Sequence, residues 1–129
     1  MNAIDHSSVG VPDIAAARLF YDPLLATLGI TCLAANETLA AYGRGRVEFI
    51  LILPADGKAQ TAGNGVHIAF AAPDRAGVEA FFATALAMGG SGEGAPGVRP
   101  AYPMPEVYAA FARDPYGNKL EALHNGFAA

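Results

Sequence analysis

The feature that most constrains this chain is an internal repeat. Residues 4–29 align without a gap on residues 65–90, at a constant offset of 61. His6 falls on His67, Pro12 on Pro73, Asp13 on Asp74, Ala15 on Ala76, Phe20 on Phe81, Leu25 on Leu86 and Gly29 on Gly90. Alanine makes up 28 of the 129 residues and would supply chance alanine matches, but not matched His, Pro, Asp and Phe. Self-similarity at a fixed spacing means one structural unit built twice.

Each copy has the same grammar. An alternating segment, residues 5–11 and 66–72, reads as a strand. It sets Val9 and Val11, or Ile68 and Phe70, on one face, and His6, Ser8 and Gly10, or His67, Ala69 and Ala71, on the other. Pro-Asp then opens a helix, with Asp13 and Asp74 placed to cap free backbone N–H groups. The helices are expected over residues 15–28 and 76–88, ending at Gly29 and at Gly89-Gly90. Pro23 is expected to break or kink the first of them.

Shorter strands follow, around residues 30–34, 38–42 and 46–53 in the first half. In the second half they are expected around 98–100, 107–113 and 119–123, with Asp114-Pro115-Tyr116-Gly117-Asn118 as a hairpin turn. The sequence therefore predicts a single α+β domain over residues 1–129, made of two βαβββ units. Repeat one covers about residues 1–56, a Pro/Gly linker about 54–64, and repeat two about 65–126.

Eight Lys and Arg against twelve Asp and Glu give a formal charge of −4, and no basic cluster offers a nucleic-acid surface. The single cysteine, Cys32, excludes a disulfide framework and reads as a small apolar residue in a reducing compartment. The N-terminal residues carry no basic-then-apolar pattern, and residues 49–53 are too short an apolar run to cross a bilayer. The expectation is a cytoplasmic protein with neither membrane nor nucleic-acid partners. The glycine-rich run Gly90-Ser91-Gly92-Glu93-Gly94 opens no helix, so it is read as a loop and not as a dinucleotide site.

His6 and His67 occupy repeat-equivalent positions on the less apolar strand face. Glu121 lies in Lys119-Leu120-Glu121-Ala122-Leu123, where Leu120 and Ala122 suit the helix side and Glu121 the open side. Imidazoles with a carboxylate form a ligand set for Zn, Ni, Fe or Mn. In residues 46–53 the alternation groups Glu48 with Ile50 and Ile52, but both faces are apolar beyond it. A one-residue slip would turn it outward.

The ordered set Ile4-Asp5-His6, Val9-Gly10-Val11-Pro12-Asp13, Phe20-Tyr21-Asp22 and Leu28-Gly29 resembles the vicinal oxygen chelate superfamily of glyoxalases, bleomycin-resistance proteins and extradiol dioxygenases. In the second half the likeness is carried by Gly65-Val66-His67-Ile68-Ala69-Phe70 and by Asp114-Pro115-Tyr116-Gly117-Asn118-Lys119-Leu120-Glu121. The resemblance implies a half-open, barrel-like sheet with helices on its outer face, and a divalent metal on the concave face. By position the ligands would be His6, Glu48, His67 and Glu121. Four ligands would resemble a glyoxalase; three, without Glu48, would resemble an extradiol dioxygenase. Glu48 or Glu121 could instead serve as general base.

The implied activity is that of a metal-dependent lyase, isomerase or ring-cleaving dioxygenase acting on vicinal oxygens of a small substrate, in a homodimer. The alternative is a metal-free protein that sequesters a small molecule. Tyr42, Tyr102 and Tyr108 could line the cavity or simply pack. Arg44, Arg46 and Arg99 could hold an anionic substrate or simply keep the surface soluble. His124, an odd number of residues past Glu121, reads as a surface histidine.

Overall fold

The computed structural model describes residues 3–128. The order is β1 (Ser7–Gly10), α1 (Ile14–Ala26), β2 (Thr31–Ala35), β3 (Leu39–Gly43), β4 (Phe49–Ile52), β5 (His67–Ala71), α2 (Arg75–Ala87), β6 (Ser91–Val98), β7 (Tyr108–Arg113) and β8 (Lys119–His124). The chain is thus βαβββ twice. Each unit has its own four-stranded sheet, ordered β1-β4-β3-β2 and β5-β8-β7-β6. In each, the first strand lies parallel to the last and the remaining pairs are antiparallel.

The expected caps form. Asp13 Oδ2 accepts from Ala16 N at 2.7 Å, and Asp74 Oδ1 from Gly77 N at 2.7 Å. The 114–118 turn closes with Asp114 N donating to Asn118 O at 2.9 Å, and Gly117 supplies the left-handed φ of 91°.

Two expectations are corrected. Pro23 does not interrupt α1, which continues to Ala26. The carbonyl that loses its partner to Pro23 belongs to Leu19, four residues back, where the chain is 76% exposed and water can satisfy it. The glycine-rich run, expected to be a loop, is the edge strand β6. Its register against β7 shifts between Gly92 and Gly94 and again between Gly94 and Gly97. Glycines tolerate those bulges, and Pro96 falls where an edge strand can spare an N–H.

A continuous core joins the units: Val9, Phe20, Tyr21, Leu24 and Phe49 from the first pack with Phe70, Phe81 and Leu120 of the second. Phe49 and Phe70 meet edge to face across the junction, with ring centroids 5.1 Å apart. Two side chains clamp the junction at repeat-equivalent carbonyls. Asn118 Nδ2 donates to Gly10 O at 2.9 Å, and Arg44 Nη2 donates to Ala71 O at 2.5 Å. Each hairpin thereby grips the end of the opposite unit's first strand. No ladder joins the two sheets among the described residues. No helix among the described residues is long and apolar enough to cross a membrane.

Candidate functional site

The parallel pairing of β5 with β8 places Ala69 opposite Glu121 and His67 opposite Lys119. Phe70, Leu120 and Ala122 turn into the core, so His67 and Glu121 share the other face of neighbouring strands. There His67 Nε2 lies 3.0 Å from Glu121 Oε1. Glu121 is completely buried, a costly position for a carboxylate unless it is paired. Its second oxygen accepts from the Tyr102 hydroxyl at 2.5 Å. Burial, reinforced by that bond, pushes the Tyr102 phenol up to about 12, so it stays a donor. The Tyr102 ring in turn meets Phe127 of the C-terminal tail at 5.9 Å.

This trio opens on a cavity of about 800 Å³ between the two units, walled by Ile30, Phe49, Ile68, Phe70 and Leu123. Glu48 lines the same cavity from the bend before β4. Its Oε1 accepts from Arg44 N at 3.3 Å and its Oε2 lies 4.0 Å from Arg46 Nη2.

His6 is placed elsewhere. It is exposed and pairs with Asp5, Nδ1 to Oδ1 at 2.7 Å. Arg46 Nη1 reaches Asp5 O at 3.1 Å, which ties this segment to the β3–β4 bend. That bend also holds Ala71 through Arg44, whereas His67 begins β5 four residues earlier, about 13 Å along the strand.

The other candidates divide. Tyr42 lines the cavity with its ring, but its hydroxyl points to α1 and donates to Asp22 Oδ1 at 2.7 Å. Burial, then the Asp22 bond, raises the Tyr42 phenol. Tyr108 lies on the α2 side, donating to Glu79 Oε2 at 2.8 Å beneath the Arg75 guanidinium. Arg99 lies over Phe111 and donates to Ala95 O. Cys32 is half-buried beside the Ala34 carbonyl. His124, read from parity as a surface residue, lines the cavity with Nδ1 3.2 Å from Ala72 O. Strand parity misses it because β8 ends there and Asn125, at φ 63°, turns the tail back over the cavity.

Could these residues hold a metal ion? His67 and Glu121 present nitrogen and oxygen donors to one point, which suits a borderline divalent ion. Among the described residues, however, no three of His, Cys, Asp and Glu gather closely enough to hold one. Within one chain, His67 and Glu121 are two such donors that meet.

The sequence profile of the glyoxalase/bleomycin resistance protein/dioxygenase superfamily matches residues 3–122. The chain belongs to this superfamily. A crystal structure of a glyoxalase/bleomycin resistance protein from Albidiferax ferrireducens T118 is 38% identical. The match covers 96% of this chain and 99% of that one, with a TM-score of 0.86. A glyoxalase-related enzyme from Fulvimarina pelagi shares the fold at 19% identity, covering 97% and 89% of the two chains, with a TM-score of 0.73. The lactoylglutathione lyase of Agrobacterium tumefaciens does so at 23% identity, covering 97% and 95%, with a TM-score of 0.64. No curated protein matches. The superfamily accounts for the paired βαβββ units.

Proposed function

We propose that this superfamily member is a divalent-metal-dependent enzyme acting on a small substrate with paired oxygens, in the manner of a lyase, isomerase or ring-cleaving dioxygenase. The observation that carries this reading is the convergence of His67 Nε2 on a fully buried Glu121 carboxylate beside an apolar cavity. His67 and Glu121 are one half of the ligand set, and His6 and Glu48 of a second copy of the chain are the other. The split accounts for the lack, among the described residues, of three such donors gathered within one chain. When bound, the metal supplies Lewis-acid polarisation of the substrate oxygens.

The rest of the work falls to side chains. Tyr102 fixes Glu121 through its hydroxyl and holds its own proton. The apolar walls exclude water. As the alternative to a ligand role, Glu48 Oε2, only loosely engaged by Arg46, is a carboxylate oxygen placed to take a substrate proton as general base.

The test is metal content by plasma mass spectrometry on protein purified without a histidine tag or chelator. Near-stoichiometric Zn, Ni, Fe or Mn in the native chain, lost in His6→Ala/His67→Ala, is expected. Less than about a tenth of an ion per chain after reconstitution would overturn the proposal. It would favour the second reading, a metal-free binding protein. That reading draws on the cavity itself, which a single chain encloses without the full ligand set.

A further inference from the structure

We propose that the cavity between the units takes a small organic anion, and that Arg44 is the group that holds its carboxylate. This rests on the reading of that cavity as the ligand site and names the class of ligand. Five carboxylate or guanidinium residues line it: Asp5, Arg44, Arg46, Glu48 and Glu121. Four have a partner within 4.0 Å, Asp5 with His6, Arg46 with Glu48, and Glu121 with His67. Arg44 has none among the described residues.

Arg44 is nevertheless held firmly. Its Nε and Nη2 donate to Leu28 O at 3.1 and 2.7 Å, and Nη2 also donates to Ala71 O at 2.5 Å. Three bonds to neutral carbonyls immobilise the guanidinium without cancelling its charge, and Nη1 has no partner among the described residues. The preceding turn is tight enough to require glycine: a Cβ on Gly43 would lie 1.6 Å from Arg46 O. A fixed cation loses little side-chain entropy when an anion docks, which is the condition for a specific anion site.

The surroundings define the rest of the ligand. His124, on the next carbonyl of the same strand end, offers a second polar group from the β8 side. The same cavity is walled by Ile30, Phe49, Phe70 and Leu123. The ligand is therefore a carboxylate on an apolar or aromatic body, its far end directed toward His67 and Glu121.

The probes are 2-naphthoate and 2-naphthamide, alike in shape but differing in charge, measured by titration calorimetry. The native chain is expected to bind the naphthoate at least about tenfold more tightly. Arg44→Gln should weaken naphthoate by roughly tenfold to a hundredfold and leave naphthamide unchanged. Arg44→Lys keeps the charge, so it should retain part of the preference even if the lost carbonyl bonds lower its melting temperature. Arg75→Gln, on α2, should change neither affinity.

Equal affinity for the two probes, no binding of either, or naphthoate affinity unaltered in Arg44→Gln would each overturn the inference. Metal content measured on the same samples separates it from the reading beneath it. A metal-loaded chain with no charge preference sinks only the anion site. An Arg44-dependent preference in a chain that never takes up metal supports the anion site and sinks the metal proposal.

Discussion

Replacing Asp114 with alanine should cost about 4 kcal/mol of unfolding free energy, the largest loss expected from any single polar substitution here. Its carboxylate is 3% exposed and accepts four hydrogen bonds. Oδ2 takes the Tyr21 hydroxyl at 2.5 Å and Asn118 Nδ2 at 2.8 Å, while Oδ1 takes the backbone N–H groups of Tyr116 and Asn118, both at 2.9 Å. Alanine strands all four donors, and the Tyr21 hydroxyl, fully buried, has no water to turn to. Burial and the Asp114 charge already hold the Tyr21 phenol well above its ordinary value, so it cannot escape by ionising.

The network also spans the junction: Tyr21 is on α1 of the first unit, and Asn118 reaches back to Gly10 O. Tyr21→Phe should cost less, about 1–2 kcal/mol, because Asp114 keeps its other three donors. Urea unfolding gives the comparison. A loss below about 1 kcal/mol for Asp114→Ala would mean that the junction does not depend on this carboxylate.

The second large effect is expected at Glu121, on binding and not on stability. Glu121→Gln keeps shape and burial. Its amide oxygen can still accept from Tyr102, and its amide nitrogen can donate to an unprotonated His67 nitrogen. Stability should therefore change by less than about 1 kcal/mol. Metal affinity should fall by at least about a hundredfold, since even indirect supports of a metal ligand are worth about tenfold to a hundredfold. Metal retained at native affinity in Glu121→Gln would remove this residue from the ligand set.

Much of the fold was legible because the repeat carries local rules that act alone. Asp-capped helix starts, period-two strands and the 114–118 turn each depend on a few neighbouring residues, and each formed as read. What failed depends on context. Glycines in 90–97 lack any pattern that marks a strand, and β6 exists because β7 offers a partner. Pro23 is tolerated because the carbonyl it orphans is in an exposed part of α1. At the site, strand parity put His67 and Glu121 on one open face, and register then joined them.

Parity cannot tell which neighbours a strand face meets, so it could not separate His6, exposed beside Asp5, from His67 at the cavity. Nor could it see that the chain turns at Asn125 and brings His124 to the cavity. Tyr102 was a candidate by residue type alone. Its bond to Glu121 is set by the segment between β6 and β7, whose path no periodicity describes.

A metal centre divided between two copies can be tested with a mixed dimer. One chain would carry His6→Ala/Glu48→Ala and the other His67→Ala/Glu121→Ala, each with a different non-histidine tag. The two would be co-expressed and purified through both tags. One intact site and about one metal ion per mixed dimer are expected, with none in either variant alone. An empty mixed dimer beside a loaded native protein, or either variant alone binding metal as the native chain does, would contradict it.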